Sequence, residues 1–170
     1  MTAVPKQHLL SAEEFAALPR EGLRTELVEG EVQAMAPAFE DHGVVTMRLG
    51  GLLFQHVRAN DLGEVYAAET GFLIARNPDT VRAPNVAFIR QERMPPHGGK
   101  PGWVQVMPDL VAEVVPSGDR ISEVDDKVRM WLEAGVRMVL VAWPDRRTID
   151  VYRPVGPRPI SSMVATWCQV

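Results

Sequence analysis

The run Leu110-Val111-Ala112-Glu113-Val114-Val115 constrains the fold more than any other part of the chain. It is apolar at every position but one, with no alternation of polar and apolar residues, which is the pattern of a central strand buried on both faces. Such a strand implies layers on either side of a sheet and an α/β fold. The exception is Glu113. Burying an ionised carboxylate costs several kcal/mol unless it is paired or bound to a metal. Either Glu113 meets an arginine or a backbone donor and satisfies itself, or it belongs to a site.

The residues after this strand read as a helix and two further strands. Ser122 and Asp125 make a capping-box-like start, Val124, Val128, Trp131 and Leu132 fall on one face, and Gly135 closes the helix as its C′ residue. Met138–Ala142 and Ile149–Tyr152 then flank the turn Pro144–Thr148. At 100° per residue, Lys127 lies beside Val124 and Trp131 on the border of the buried face. A lysine there either snorkels to solvent or bends back toward the strand that carries Glu113.

Upstream, Ser11 is placed to cap a short helix, with Glu14 three residues on, Leu10 positioned to staple against Phe15, and an end before Pro19. Residues 24–28 and 31–35 flank Glu29-Gly30, which predicts a hairpin with glycine where a positive φ is needed. From Asp41, a candidate N-cap, the positions Val45, Leu49, Leu52 and His56/Val57 recur at helical spacing to about Arg58. The runs 65–67, 72–74 and 86–89 read as consecutive strands. Residues 94–102, rich in Pro and Gly, cannot hold a regular ladder and are expected to form a flap. The stretch 154–170 shows no clear period and is expected to be an irregular tail or a weak last strand.

With 46% hydrophobic and 24% charged residues, one domain over residues 1–170 is expected. No run of about 18 apolar residues and no leader-like N-terminus is present, so a cytoplasmic protein without a membrane span is expected. Cys168 is the sole cysteine, which excludes an internal disulfide and a cysteine-based zinc site. Any metal must be held by oxygen or imidazole. The net charge of −4 argues against a broad nucleic-acid surface but leaves room for a local basic cleft. Arg120, Arg129, Arg137, Arg146, Arg147 and Arg153 read as surface residues, and the core-like settings of Trp131 and Trp143 favour packing over base stacking. An exposed strand at 149–153 is a candidate for pairing between two copies.

The ordered set Pro108–Val115, Asp119-Arg120, Lys127 and Leu132–Val136 resembles the signature of the Uma-type restriction endonuclease family, a branch of the PD-(D/E)XK nucleases. Asp79–Phe88 is similar to the family strand that carries a Pro-Asp pair, and Glu26–Glu31, Met35–Pro37 and His42 resemble its N-terminal hairpin and first long helix. The likeness spans about residues 20–153. It implies a restriction-endonuclease-like core with a mixed central sheet flanked by helices, DNA as the substrate, and phosphodiester hydrolysis. In that chemistry a strand Asp and a second strand Glu hold Mg²⁺ or Mn²⁺, and a lysine positions or activates the attacking water. The implied site residues are Glu113 and Asn85 as metal ligands and Lys127 as the lysine, with Glu26 and His42 in support; a homodimer is also expected.

Two departures from the family pattern lie beside this site. Asn85 stands where a ligating Asp is expected, and an amide lacks the charge that offsets dehydration of a hard cation. Asn85 is equally a candidate turn residue bonded to its own backbone. Pro116-Ser117 inverts the usual order of those two residues. An impaired nuclease, or a nuclease-fold protein that only binds nucleic acid or protein, is therefore expected. Asp109 and Glu113 would lie about 13 Å apart on one strand, so Asp109 is expected at the strand start and outside the site.

Overall fold

The computed structural model describes residues 8–19, 22, 24–94, 102–116, 120–155 and 158–166. Two sheets form the frame. The smaller has the order β2-β1-β5-β4 and comprises Glu31–Met35 (β2), Arg24–Val28 (β1), Thr80–Arg82 (β5) and Phe72–Ala75 (β4). The larger has six strands in the order β10-β9-β8-β7-β6-β3: Arg158–Thr166 (β10), Thr148–Val155 (β9), Met138–Trp143 (β8), Leu110–Val114 (β7), Val86–Arg90 (β6) and Gly63–Ala67 (β3). Among the described strands only β7 and β8 run parallel, and helix α3 (Ile121–Glu133) connects them. The fold is the mixed α/β architecture expected from the apolar strand.

The first helix, α1 (Ala12–Ala17), has the anticipated capping box: the Glu14 N–H donates to Ser11 Oγ and the Glu14 carboxylate accepts from the Ser11 N–H. Its first turn docks on Asp79, whose carboxylate accepts the Ala12 N–H at 2.8 Å. That bond comes first among the causes that hold the Asp79 carboxyl below the usual range. The β1–β2 hairpin turns at Glu29 and Gly30, both at positive φ, as a primed turn requires.

Several elements differ from the sequence reading. The strands expected to be consecutive are divided, with β3 and β6 in the large sheet and β4 in the small one, where it pairs with the three-residue β5. Helix α2 spans Glu40–Ala59 with Phe39, not Asp41, at its N-cap, and the Asp41 carboxylate accepts the next backbone N–H. Its buried positions are His42 and Val57, whereas Leu52 is 68% exposed. The helix packs closely at Gly50, where an added Cβ would stand 3.3 Å from Val86. Helix α3 has Arg120 at its N-cap, with no side-chain cap bond, so Ser122 lies inside its first turn. Its apolar face and the C′ role of Gly135, at φ 99°, are as read.

Of the two forms expected of the tail, the described residues take the second, a last strand. Residues 158–166 form β10 against β9, with a register shift between Pro159 and Ser161 where proline offers no N–H to the ladder. This pairing covers the strand at 149–153, so β9 is interior and is not an open edge for a second copy. The flap expected at 94–102 falls mainly on residues 95–101, outside the described residues, as do Ser117, Asp119, Trp167 and Cys168.

Trp131, Val128 and Val124 of α3 pack with Val111, Val115, Val139 and Val141 of the large sheet. A second cluster of Ala12, Phe15, Leu27 and Val81 joins α1 to the small sheet. Trp103 stacks on Phe15 at 5.4 Å and donates its indole N–H to the Ala12 carbonyl.

Candidate active site

Glu113 lies one residue before the end of β7, on the side of the strand shared by Val111 and Val115. The parallel crossover returns α3 over that face, and two helix side chains meet the carboxylate. Lys127 Nζ donates to Oε2 at 3.1 Å and Trp131 Nε1 donates to Oε1 at 2.9 Å. Four residues apart, Lys127 and Trp131 share one side of the helix. Trp131 therefore both packs and binds, a role that the packing reading had missed. A fully buried indole N–H needs an acceptor, and that was the available signal.

Asn85 precedes β6, and the β6–β7 register places it beside the end of β7. It is 7% exposed. Its Oδ1 accepts the Val114 N–H at 2.8 Å, so the side chain bonds a neighbouring strand and not its own backbone. That bond fixes the orientation of the amide, because only the oxygen can face an N–H. Nδ2 then points to His42 Nε2 at 3.3 Å. An amide nitrogen only donates, so Nε2 is the acceptor and the proton of the neutral ring sits on Nδ1. Burial, followed by the charge of Arg24, pushes the His42 pKa down, in keeping with a neutral ring.

Glu113, Lys127, Asn85 and His42 line one cleft of about 390 Å³, together with Arg24 and Phe39. Glu26 lies elsewhere. It is 3% exposed in an adjoining cavity, where its carboxylate takes the Arg82 guanidinium at 2.7 Å and the Ala83 N–H at 2.8 Å. Of the two outcomes considered for Glu26, the ion pair is the one observed. Arg24 and Phe39, which no sequence motif had singled out, belong to the cleft wall. The six arginines noted in the sequence do not line it: Arg137 turns to Asp109, Arg129 to Asp126, and Arg146 stacks over Trp143.

The donor set does not suit a hard dication. Among the described residues no group of three or more His, Cys, Asp or Glu is arranged to hold a metal. Among the described residues Glu113 is the one carboxylate in the cleft wall, and both its oxygens already accept hydrogen bonds. The Asn85 oxygen is likewise engaged. Mg²⁺ is ordinarily held by one or two carboxylates with waters completing an octahedral shell, and here both oxygens of the carboxylate are taken by Lys127 and Trp131.

Comparison with known proteins bears on most of the chain. The family model described as "Uma2: Putative restriction endonuclease" matches residues 12–165. No curated protein matches. The crystal structure of a putative nuclease belonging to DUF820 from Anabaena variabilis ATCC 29413 superposes with a TM-score of 0.76 at 19% identity, over 91% of this chain and 83% of that one. The likeness extends to the fold.

Proposed function

Because the chain belongs to the Uma2 family of putative restriction endonucleases, we propose that its cleft takes a nucleic-acid phosphodiester and is impaired in Mg²⁺- or Mn²⁺-dependent hydrolysis at Asn85. The observation that carries this reading is the engagement of the Asn85 amide by Val114 and His42, in the position where the family pattern has a ligating carboxylate. DNA is the expected substrate. Glu113 holds Lys127 by its carboxylate, and the Lys127 side chain, 25% exposed, keeps N–H groups free to meet a phosphate oxygen. Arg24 adds a second cation to the same wall.

Replacing Asn85 tests the reading. Asn85→Asp keeps an oxygen for the Val114 N–H and adds the missing charge. The expected result is weak or no Mg²⁺ or Mn²⁺ uptake by the natural chain in calorimetry, with little cleavage of supercoiled or single-stranded DNA. Asn85→Asp should gain at least tenfold in both measurements, equivalent to about 1.4 kcal/mol, and Glu113→Gln in that background should abolish the gain. Cleavage by the natural chain at a rate that Asn85→Asp does not raise overturns the impairment. DNA binding without cleavage by the folded Asn85→Asp variant would instead favour a nuclease-fold binding module.

A further inference from the structure

Helix α2 carries two apolar seams on opposite sides. One faces inward through His42, Gly50 and Val57. The other runs through positions 40, 44, 47, 51, 54 and 58, whose intervals alternate four and three, the spacing of a helix–helix seam. Its large apolar members are open to solvent: Val44 is 42% exposed, Met47 74% and Phe54 49%. Around a Cβ built on Gly51 there is nothing within 4 Å. A helix that is apolar on two sides has a second face to cover.

The positions of this seam are spaced symmetrically about position 49. When a second α2 is laid antiparallel with its two-fold axis at that level, Met47 meets Gly51 of the other copy, and Val44 meets Phe54. The long methionine side chain thus faces the one position that leaves a hole. At both ends Glu40 stands level with Arg58 of the other copy. Each is exposed, and neither makes an ion pair among the described residues. The charges also suit the helix ends, with an acid in the first turn and a base in the last. A shape and a charge pattern that both map onto themselves under one two-fold are the marks of an isologous contact.

We infer that α2 is the interface of a homodimer, in which two copies pair their helices antiparallel about Leu49 through Val44, Met47, Gly51 and Phe54, with a Glu40–Arg58 ion pair at each end. The occupant of the open face is a second copy of this chain. The inference is independent of any reaction in the cleft. It also differs from pairing through the strand at 149–153, which β10 covers.

Sedimentation of the full chain across a concentration series measures the assembly. A dimer of the 18.8 kDa chain is expected, with dissociation raised at least tenfold by Met47→Lys and by Gly51→Gln. The glutamine fills the hole on a face with no intramolecular neighbour, so it preserves the fold where the lysine variant proves unstable. Glu40→Arg and Arg58→Glu should each weaken the dimer, while the double exchange restores it, with circular dichroism reporting the helix in each case. A monomer at every concentration overturns the interface. So does a dimer that is indifferent to the two central substitutions, or a double exchange no better than either single one.

Discussion

Strand β7 has a buried acid at each end, and the two are treated in opposite ways. Asp109, immediately before the strand, has a side chain 9% exposed and is surrounded by donors. Arg93 donates to Oδ1 at 2.8 Å, the Arg90 N–H to Oδ2 at 3.1 Å, and the Arg90 and Arg137 guanidinium groups lie at 3.2 and 3.8 Å. Its backbone carbonyl also receives the N–H groups of Arg137 and Met138, at the entry to β8. Glu113 is as well buried, at 8%, yet it has one lysine and one indole and opens on a cleft. Equal burial therefore does not mean equal purpose. Asp109 joins the ends of three segments, whereas Glu113 holds a single, partly exposed cation at the wall of a cleft.

The largest effect expected from this contrast is at Asp109. Asp109→Ala leaves the Arg90 N–H without its acceptor and crowds three guanidinium groups together. Breaking a buried ion pair from one side costs roughly 3–5 kcal/mol, and because Arg90 and Arg93 are about one-third exposed, water lowers the loss to about 3 kcal/mol. Urea unfolding measures it. A loss under about 1 kcal/mol, the range of exposed pairs, would remove the distinction between the two ends.

Glu113→Gln should have a smaller effect on stability and a larger one on the cleft. The glutamine oxygen can still accept the Trp131 N–H, so only the charge opposite Lys127 is lost. Lys127 is partly exposed, and a loss of about 1 kcal/mol is expected. The released lysine should bind phosphate more freely, so DNA affinity measured at low salt should hold or rise, while Lys127→Met lowers it and flattens its salt dependence. A destabilisation by Glu113→Gln as large as that of Asp109→Ala would make Glu113 a second structural acid.

Much of this contrast was legible in the sequence because it rests on local pattern. A lone acid in an apolar run is visible without a structure, and the helical angle alone puts Lys127 at the border of the buried face. The start of β7 likewise separates Asp109 from the site. The rest depends on partners far away in the chain. Nothing near Thr80–Arg82 announces that this three-residue strand pairs with the N-terminal hairpin, and so the division into two sheets was hidden. Glu26 matched a motif, but its fate was decided by Arg82, 56 residues away. In α2 the stripe was legible in part: Val57 is buried and Val45 and Leu49 are half-buried as its period requires, but Leu52, on the edge of the same stripe, is 68% exposed, because the sheet beneath the helix decides how much of the stripe is covered.

The smallest expected effect concerns His42, whose ring links α2 to the Glu113 end of the strand through Asn85. Its pKa is pushed below the ordinary 6.5, first by burial and then by Arg24. In the unfolded chain the ring takes up a proton near pH 6.5, while the folded chain resists it until lower pH. The unfolded state thus binds more protons in that window, and stability rises with pH through it. The contribution is fully present above about pH 6.5 and is lost as the pH falls toward the folded value, with a slope of at most about 1.4 kcal/mol per pH unit. Asp79 acts in the same direction but in a separate window, below its ordinary 3.8. His42→Gln should therefore flatten the pH dependence of unfolding below 6.5 while leaving the more acidic limb in place. Measurement in a chelating buffer keeps metal out of the comparison, and an unchanged slope would mean that the ring near Glu113 is as free to take a proton in the folded protein as in the unfolded chain.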